Sequence, residues 1–185
     1  MTDVQLLAAI AHGDQQAFAT LMGRHGRFAM GLALRMLNNS HDAEEVTQEA
    51  FVRVWTHAQR WNPEGGAQFT TWLYRVVMNL CLDRRRMTTS VPLDEAPEPP
   101  DPSRNGLEQL SDGQAARLVA EAMATLPDRQ RAAMALCYYD EIGCQQAAEI
   151  MEVSISAMES LLVRGRRSMK DHLVRRGFLS VGDVL

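Results

Sequence analysis

Residue types suited to unpaired bases and phosphates are densest between Gly65 and Arg86, in GGAQFTTWLYRVVMNLCLDRRR. A glycine pair breaks the backbone. A run with helical spacing then carries Phe69, Trp72, Leu73, Val76, Val77 and Leu80, and closes on Arg84, Arg85 and Arg86. Six aromatic residues, Phe51, Trp55, Trp61, Phe69, Trp72 and Tyr74, fall between positions 51 and 74. Aromatic faces stack on unpaired bases and guanidinium groups hold a phosphate backbone, so one helix joins both halves of single-strand binding. The alternative is an amphipathic core helix that ends in a solvated basic turn.

A second group lies near the C-terminus. Ser156, Glu159, Ser160 and Val163 recur at spacings of three and four, followed by Arg164, Arg166, Arg167 and Lys170. On a helix entering a major groove, the serines and Glu159 would face base edges, with Glu159 accepting from a cytosine amino group. The cations one or two turns later suit phosphates, which position the helix without reading sequence. Glu159 is equally readable as a helix-capping residue. A third group, Asp42, Glu45 and Glu49 beside Gln48, forms an acidic row that is either solvated or a docking surface for a basic partner.

The elements that must position these groups are helical throughout. Two helices are expected between Asp3 and Leu37. The first has Leu6, Leu7 and Ile10 as its stripe, and the second has Ala17, Phe18, Leu21, Met22, Phe28, Leu32 and Leu34 as core positions. After the turn at Asn38–Ser40, Asp42 with Glu45 reads as a capping box for a helix burying Val46, Ala50, Val54 and Trp55. Arg60 to Gln68 reads as a loop broken by Pro63 and Gly65–Gly66. Its flanks are Trp61 and Phe69, and the exposed tryptophan either packs under the loop or meets a ligand. A second folding unit starts near Gln114, with one helix through Leu118, Val119, Ala122 and Met123, and another after Leu126–Pro127–Asp128 that runs to Gly143. Gln145–Met151, a break at Glu152–Ser154 and a long helix from Ile155 to Val174 then give a helix-turn-helix, capped by Ser156 with Glu159 or by Ser154.

Charge follows the same division. The formal net charge of −4 argues at first against a nucleic-acid partner. Residues 1–90 hold 9 basic and 8 acidic side chains, residues 91–113 hold 1 and 6, and residues 114–185 hold 9 and 9. The acidity therefore belongs to the middle stretch, which also carries Pro92, Pro97, Pro99, Pro100 and Pro102 and reads as a flexible tether. No apolar run approaches the ~20 residues of a membrane span, and no signal peptide is present, so a cytoplasmic protein without membrane insertion is expected. Cys81, Cys137 and Cys144 form no CxxC pair and read as packing residues in a reducing compartment; with five scattered histidines, neither a metal site nor a cofactor is expected. GxGxxG, GxxxxGK[ST] and GxSxG are all missing, and no catalytic constellation can be assembled, which argues against an enzyme.

HDAEEVTQEAFVRVW (41–55), FTTWLYRVVMNLCLDRRR (69–86), LPDRQRAAMAL (126–136) and the helix-turn-helix from Gln145 to Arg167 together resemble the extracytoplasmic-function (group IV) sigma factors of the sigma-70 family of bacterial RNA polymerase. The motifs come in the family's order over nearly the whole chain. The resemblance implies an all-α fold of two small domains, a region-2 bundle at 1–90 and a region-4 helix-turn-helix at 114–185, joined by the linker at 91–113. It implies core RNA polymerase and promoter DNA as partners, with an anti-sigma factor as inhibitor and a stress or envelope-type regulon as target. Asp42, Glu45, Gln48 and Glu49 would dock on the clamp helices of the largest subunit, while region 4 would reach the flap. Trp61, Phe69, Trp72, Arg75, Asn79 and Arg84 would engage the −10 element. Ser156, Glu159, Ser160, Val163, Arg164, Arg166, Arg167 and Lys170 would read the −35 element as duplex. A stand-alone helix-turn-helix regulator is the rival reading, but it leaves the aromatic loop and acidic helix without a role.

Many members of that family carry arginine or lysine where Glu159 and Leu161 stand here, so a generic −35 preference does not transfer. Glu159→Ala is expected to change which −35 sequence is preferred, whereas Arg164→Ala weakens all of them alike. Binding measured across a −35 library checks this, and an unchanged preference order for Glu159→Ala would refute it.

Overall fold

The computed structural model describes residues 1–61, 68–89 and 109–177. The interior of the loop expected at Arg60–Gln68, and the linker as far as residue 108, lie outside them. Among the described residues every regular element is helical, and the chain divides into two compact units, Met1–Asp94 and Glu95–Leu185.

The first unit contains α1 (Asp3–Ala11), α2 (Gln15–Leu37), α3 (Ser40–His57), a 3₁₀ turn (Ala58–Arg60) and α4 (Phe69–Thr89). Local chemistry fixes each start. Thr2 and Gln5 exchange hydrogen bonds as a capping box, with the Thr2 N–H donating to Gln5 Oε1 at 2.8 Å. Asp14 Oδ1 accepts from the Gln16 and Ala17 amides at 2.8 and 3.0 Å. At α3 the cap is Asn39, whose Oδ1 accepts from the Asp42 amide at 3.1 Å, so the capping box expected of Asp42 and Glu45 does not form. Because the helix already begins at Ser40, Asp42 and Glu45 lie within its first turns rather than at its cap, and both carboxylates are available to other partners.

One narrow stripe of each helix is buried. On α2 it is Ala17, Leu21, Ala29, Leu32, Ala33 and Met36. Met22, Phe28 and Leu34, expected in the core, are 40%, 54% and 38% exposed. Each neighbours a buried position in sequence and is therefore turned about 100° off the stripe. Trp55 departs in the same way: Val54 takes the buried position, and the half-exposed indole rests edge-on against Phe18 at 5.3 Å. On α4 the stripe is Phe69, Leu73, Val77 and Cys81 at intervals of four, packed on α2 and α3. A Leu or Val buried in this way contributes about 1.5–3 kcal/mol.

The second unit contains α5 (Gln109–Ala124), α6 (Asp128–Met134) continued by a π turn (Ala135–Tyr139), α7 (Cys144–Met151) and α8 (Ile155–Arg175). Helix α5 starts earlier than the sequence pattern, inside the stretch read as linker, and runs through Gly113. A lone glycine costs a helix only about 1 kcal/mol and does not have to end it. Glu152 turns the chain between α7 and α8 in the left-handed conformation, with φ 53°, at the position where such turns often hold glycine. Ser154 caps α8, its Oγ accepting from the Ala157 amide at 3.2 Å, which decides between the two caps considered from the sequence. Ala148, Ile150, Met158 and Leu161 are buried between α7 and α8, as the helix-turn-helix reading requires. Gly165 lies where α8 crosses α6: a Cβ there would meet Met134 Cγ at 2.8 Å.

Arg131 is the side chain that joins the first half of this unit. It is 1% exposed, and its guanidinium donates to the carbonyls of Met123 at 2.8 Å and Leu126 at 3.0 Å, and to that of Ala124. Met123 and Ala124 end α5 and Leu126 follows it, so the guanidinium gathers the carbonyls of the α5–α6 junction, of which that of Met123 also accepts from the Leu126 amide at 3.1 Å. Arg131→Met keeps the bulk but removes these three hydrogen bonds, and should remove about 3 kcal/mol of the second unit's stability. All three tryptophans lie in the first unit. Urea should therefore abolish part of the helical circular dichroism of the variant before tryptophan fluorescence changes; an unchanged circular-dichroism transition would contradict the role given to Arg131.

Candidate nucleic-acid and protein interfaces

The three residue groups singled out from the sequence are carried by α3, α4 and α8. On α3, Glu45, Gln48 and Glu49 are exposed and Asp42 is half-buried. Glu49 pairs along its own helix with Arg53 at 3.0 Å. Asp42 and Glu45 instead reach across to α4. Arg84 Nε lies 3.4 Å from Asp42 Oδ1, Arg84 Nη2 donates to the Glu45 carboxylate, and His41 Nε2 stands 3.2 Å from Glu45 Oε1. The structure thus places Arg84 with the acidic row, and not with the other residues proposed for −10 DNA.

Those other residues divide by burial. Trp72, Arg75 and Asn79, spaced three and four apart, form an outward strip on α4, half-buried at Trp72 and Arg75 and exposed at Asn79. Phe69 is only 5% exposed, because it begins the buried stripe that continues through Leu73 and Val77. It offers no face to a base as it stands. Its ring lies against Trp61 at 5.9 Å, Trp72 at 6.1 Å and the His25 ring at 5.3 Å. Trp61 and Trp72 meet edge-on at 5.9 Å, so the loop tryptophan does pack against α4. Beside them a cavity of about 120 Å³ is lined by Leu7, Val54, His57, Ala58, Arg60 and the two tryptophans. The Trp61 Nε1–H is buried with no acceptor among the described residues.

Behind the cluster stands a support that the sequence reading did not find. His25 Nε2 is 2.8 Å from Asp3 Oδ2, and Arg24 Nη1 donates to Asp3 Oδ1 at 2.9 Å, tying α1 to α2 where the His25 ring meets Phe69. Asp3, the Arg24–His25 pair and Phe69 are distant from one another in sequence, and no local pattern marks them.

On α8 the expected grouping is present as one surface: Ser156, Glu159, Ser160, Val163 and Arg164 line a single open concavity. Part of its hydrogen-bonding capacity is engaged by the helix itself. Ser160 Oγ donates to the Ser156 carbonyl at 2.9 Å, and Arg164 Nε to the Ser160 carbonyl at 3.2 Å, leaving the Ser160 oxygen as an acceptor. Arg166, Arg167 and Lys170 are exposed further along the helix.

Burial pushes the Cys81 thiol up to about 12, against the opposing pull of Arg85, and this thiol stays protonated in the folded unit. Cys137 is also raised, by burial first and by neighbouring Cys144 second. Among the described residues no group of three or more His, Cys, Asp or Glu side chains could hold a metal ion, and no helix is long and apolar enough to cross a membrane.

A helical unit with an acidic face and an outward aromatic strip, and a second unit ending in a helix-turn-helix, define a class of helical DNA-binding factor. Comparison narrows it. Residues 21–90 match the model of Sigma-70 region 2, and residues 116–169 that of Sigma-70 region 4. The chain is 30% identical over 172 residues to the ECF RNA polymerase sigma factor SigE of Mycolicibacterium smegmatis, covering 89% of this chain and 66% of that relative's length. It is 27% identical over 175 residues to SigW of Bacillus subtilis, covering 89% of this chain and 92% of SigW. Among solved structures it is similar to CnrH in complex with the cytosolic domain of CnrY, with a TM-score of 0.69 and 26% identity over 94% of this chain and 97% of CnrH. RpoE from Bartonella quintana, solved with the anti-sigma factor NepR, shares the fold with a TM-score of 0.66 at 19% identity, covering 84% of this chain and 96% of that one. The chain belongs to the sigma-70 family, as one of its extracytoplasmic-function members.

Proposed function

We propose that the chain is an alternative sigma factor that joins core RNA polymerase, holds the −10 element open and reads the −35 element as duplex. Docking falls to the α3 face of Asp42, Glu45, Gln48 and Glu49, whose negative charge suits a basic surface on the polymerase clamp. The −10 element falls to α4 and the loop before it, and the −35 element to the concavity on α8, where Ser156, Glu159 and Ser160 offer groups to base edges and Arg164, Arg166, Arg167 and Lys170 hold phosphates. The region-4 unit would also reach the flap, and the linker would thread toward the active-site cleft. Bond formation belongs to the polymerase; this chain supplies no catalytic group and acts in the cytoplasm.

The observation that carries this reading is the outward strip Trp72–Arg75–Asn79 beside Trp61. Extruding a base costs a few kcal/mol of stacking, and an aromatic surface with a neighbouring cation and amide offsets that cost. Phe69 enters this scheme as the buried support beneath the two tryptophans. An anti-sigma factor that covers the polymerase-docking surfaces would hold such a chain inactive, in line with the solved complex of CnrH with a protein partner.

The test mixes the purified chain with core polymerase and a fluorescent promoter fragment. The expected result is specific binding and strand opening only when core is present. Tight specific binding by the free chain would overturn the reading in favour of a stand-alone regulator, and failure to join core would end it.

A further inference from the structure

The cluster of Arg84, Asp42 and Glu45 joins two surfaces that the proposed function gives to different partners. Asp42 and Glu45 belong to the polymerase-docking row of α3, and Arg84 to the basic end of the DNA-binding helix α4. Its neighbours in the basic run are engaged elsewhere. Arg85 donates to the Met36 carbonyl at 3.4 Å, and Arg86 pairs with Asp83 at 3.6 Å. The side chains of Arg84, Asp42 and Glu45 are 32%, 28% and 46% exposed, so all three remain within reach of a partner.

We propose that Asp42 and Glu45 hold Arg84 away from DNA in the free chain, and that polymerase releases it by taking over the two carboxylates. The inference rests on the reading of α3 and α4 given above. Its physics is competition for charge. A guanidinium that already faces two carboxylates gains little from a phosphate, and the carboxylates repel that phosphate. Cations of a docking partner neutralise the acids and remove both obstacles together. Such coupling is reciprocal, so whatever frees Arg84 for DNA also frees Asp42 and Glu45 for polymerase. Since the contact is partly exposed, the effect in each direction should be modest, about fivefold.

Two measurements on the full-length chain test this. In the first, the free chain binds a labelled single-stranded DNA of mixed sequence. Asp42→Asn with Glu45→Gln should raise affinity about fivefold, and the gain should vanish when Arg84→Ala is added. Glu44→Gln, which neutralises an exposed carboxylate elsewhere on α3, should have little effect. An absent gain, or an equal gain in the Arg84→Ala background, would overturn the proposal, because simple loss of negative charge does not need Arg84. In the second, Arg84→Ala alone should bind core polymerase several-fold more tightly than wild type. A merely structural role for Arg84 predicts weaker binding, and weaker or unchanged binding would overturn the proposal. If the wild-type chain fails to join core, the sigma-factor reading itself fails, an outcome separable from either of these.

Discussion

The rotation of α4 about its own axis is the constraint on which the first unit depends. Phe69, Leu73, Val77 and Cys81 recur every four residues and are buried against α2 and α3. Each large apolar member contributes about 1.5–3 kcal/mol, so turning the helix by even one residue would cost far more than any surface interaction returns. Once that stripe is fixed, everything else on α4 has a settled direction. Trp72, Arg75 and Asn79 face outward as one strip. Arg84, three residues beyond Cys81, continues the buried stripe to the point where it leaves the core, and there it meets Asp42 and Glu45.

The second unit solves a related problem with a polar group. Where α5 gives way to α6, the carbonyls of Met123, Ala124 and Leu126 converge on one side chain. That side chain is Arg131, which makes a buried cation part of the framework that sets α8 on α6. Gly165 allows the close crossing of those two helices and accounts for the glycine within the RGRR run. The basic side chains of α8 are then left on the outer faces, and Ser156 to Arg164 share one open surface.

Much of this could be read from the sequence, and the failures share a cause. Helix order, the helix-turn-helix and the α8 grouping followed from periodicity and turn chemistry. Phe69 was assigned to DNA by residue type, although its spacing from Leu73 and Val77 already put it on the buried stripe. Arg84 stands in a basic run in sequence, and its register also brings it against Asp42 and Glu45 of α3, a contact the run itself does not announce. Met22, Phe28 and Leu34 show the converse error, in which apolar type outweighed a position about 100° off the stripe. What no spacing could give were the contacts between distant segments: Asp3 with His25, His25 with Phe69, and Arg131 with the end of α5.

A family assignment made on short motifs therefore gains from the side-chain register beneath them. The motif around α4 mixes residues that hold the helix, such as Phe69, Leu73 and Val77, with residues that face outward, such as Trp72, Arg75 and Asn79. The most direct test of that division is permanganate reactivity of thymines in the −10 region of a promoter selected by the wild-type holoenzyme. With Trp72→Ala and Asn79→Ala combined, closed complexes should still form while the thymines stay unreactive. Wild-type reactivity in the double variant would contradict the account and move the melting surface elsewhere on the chain.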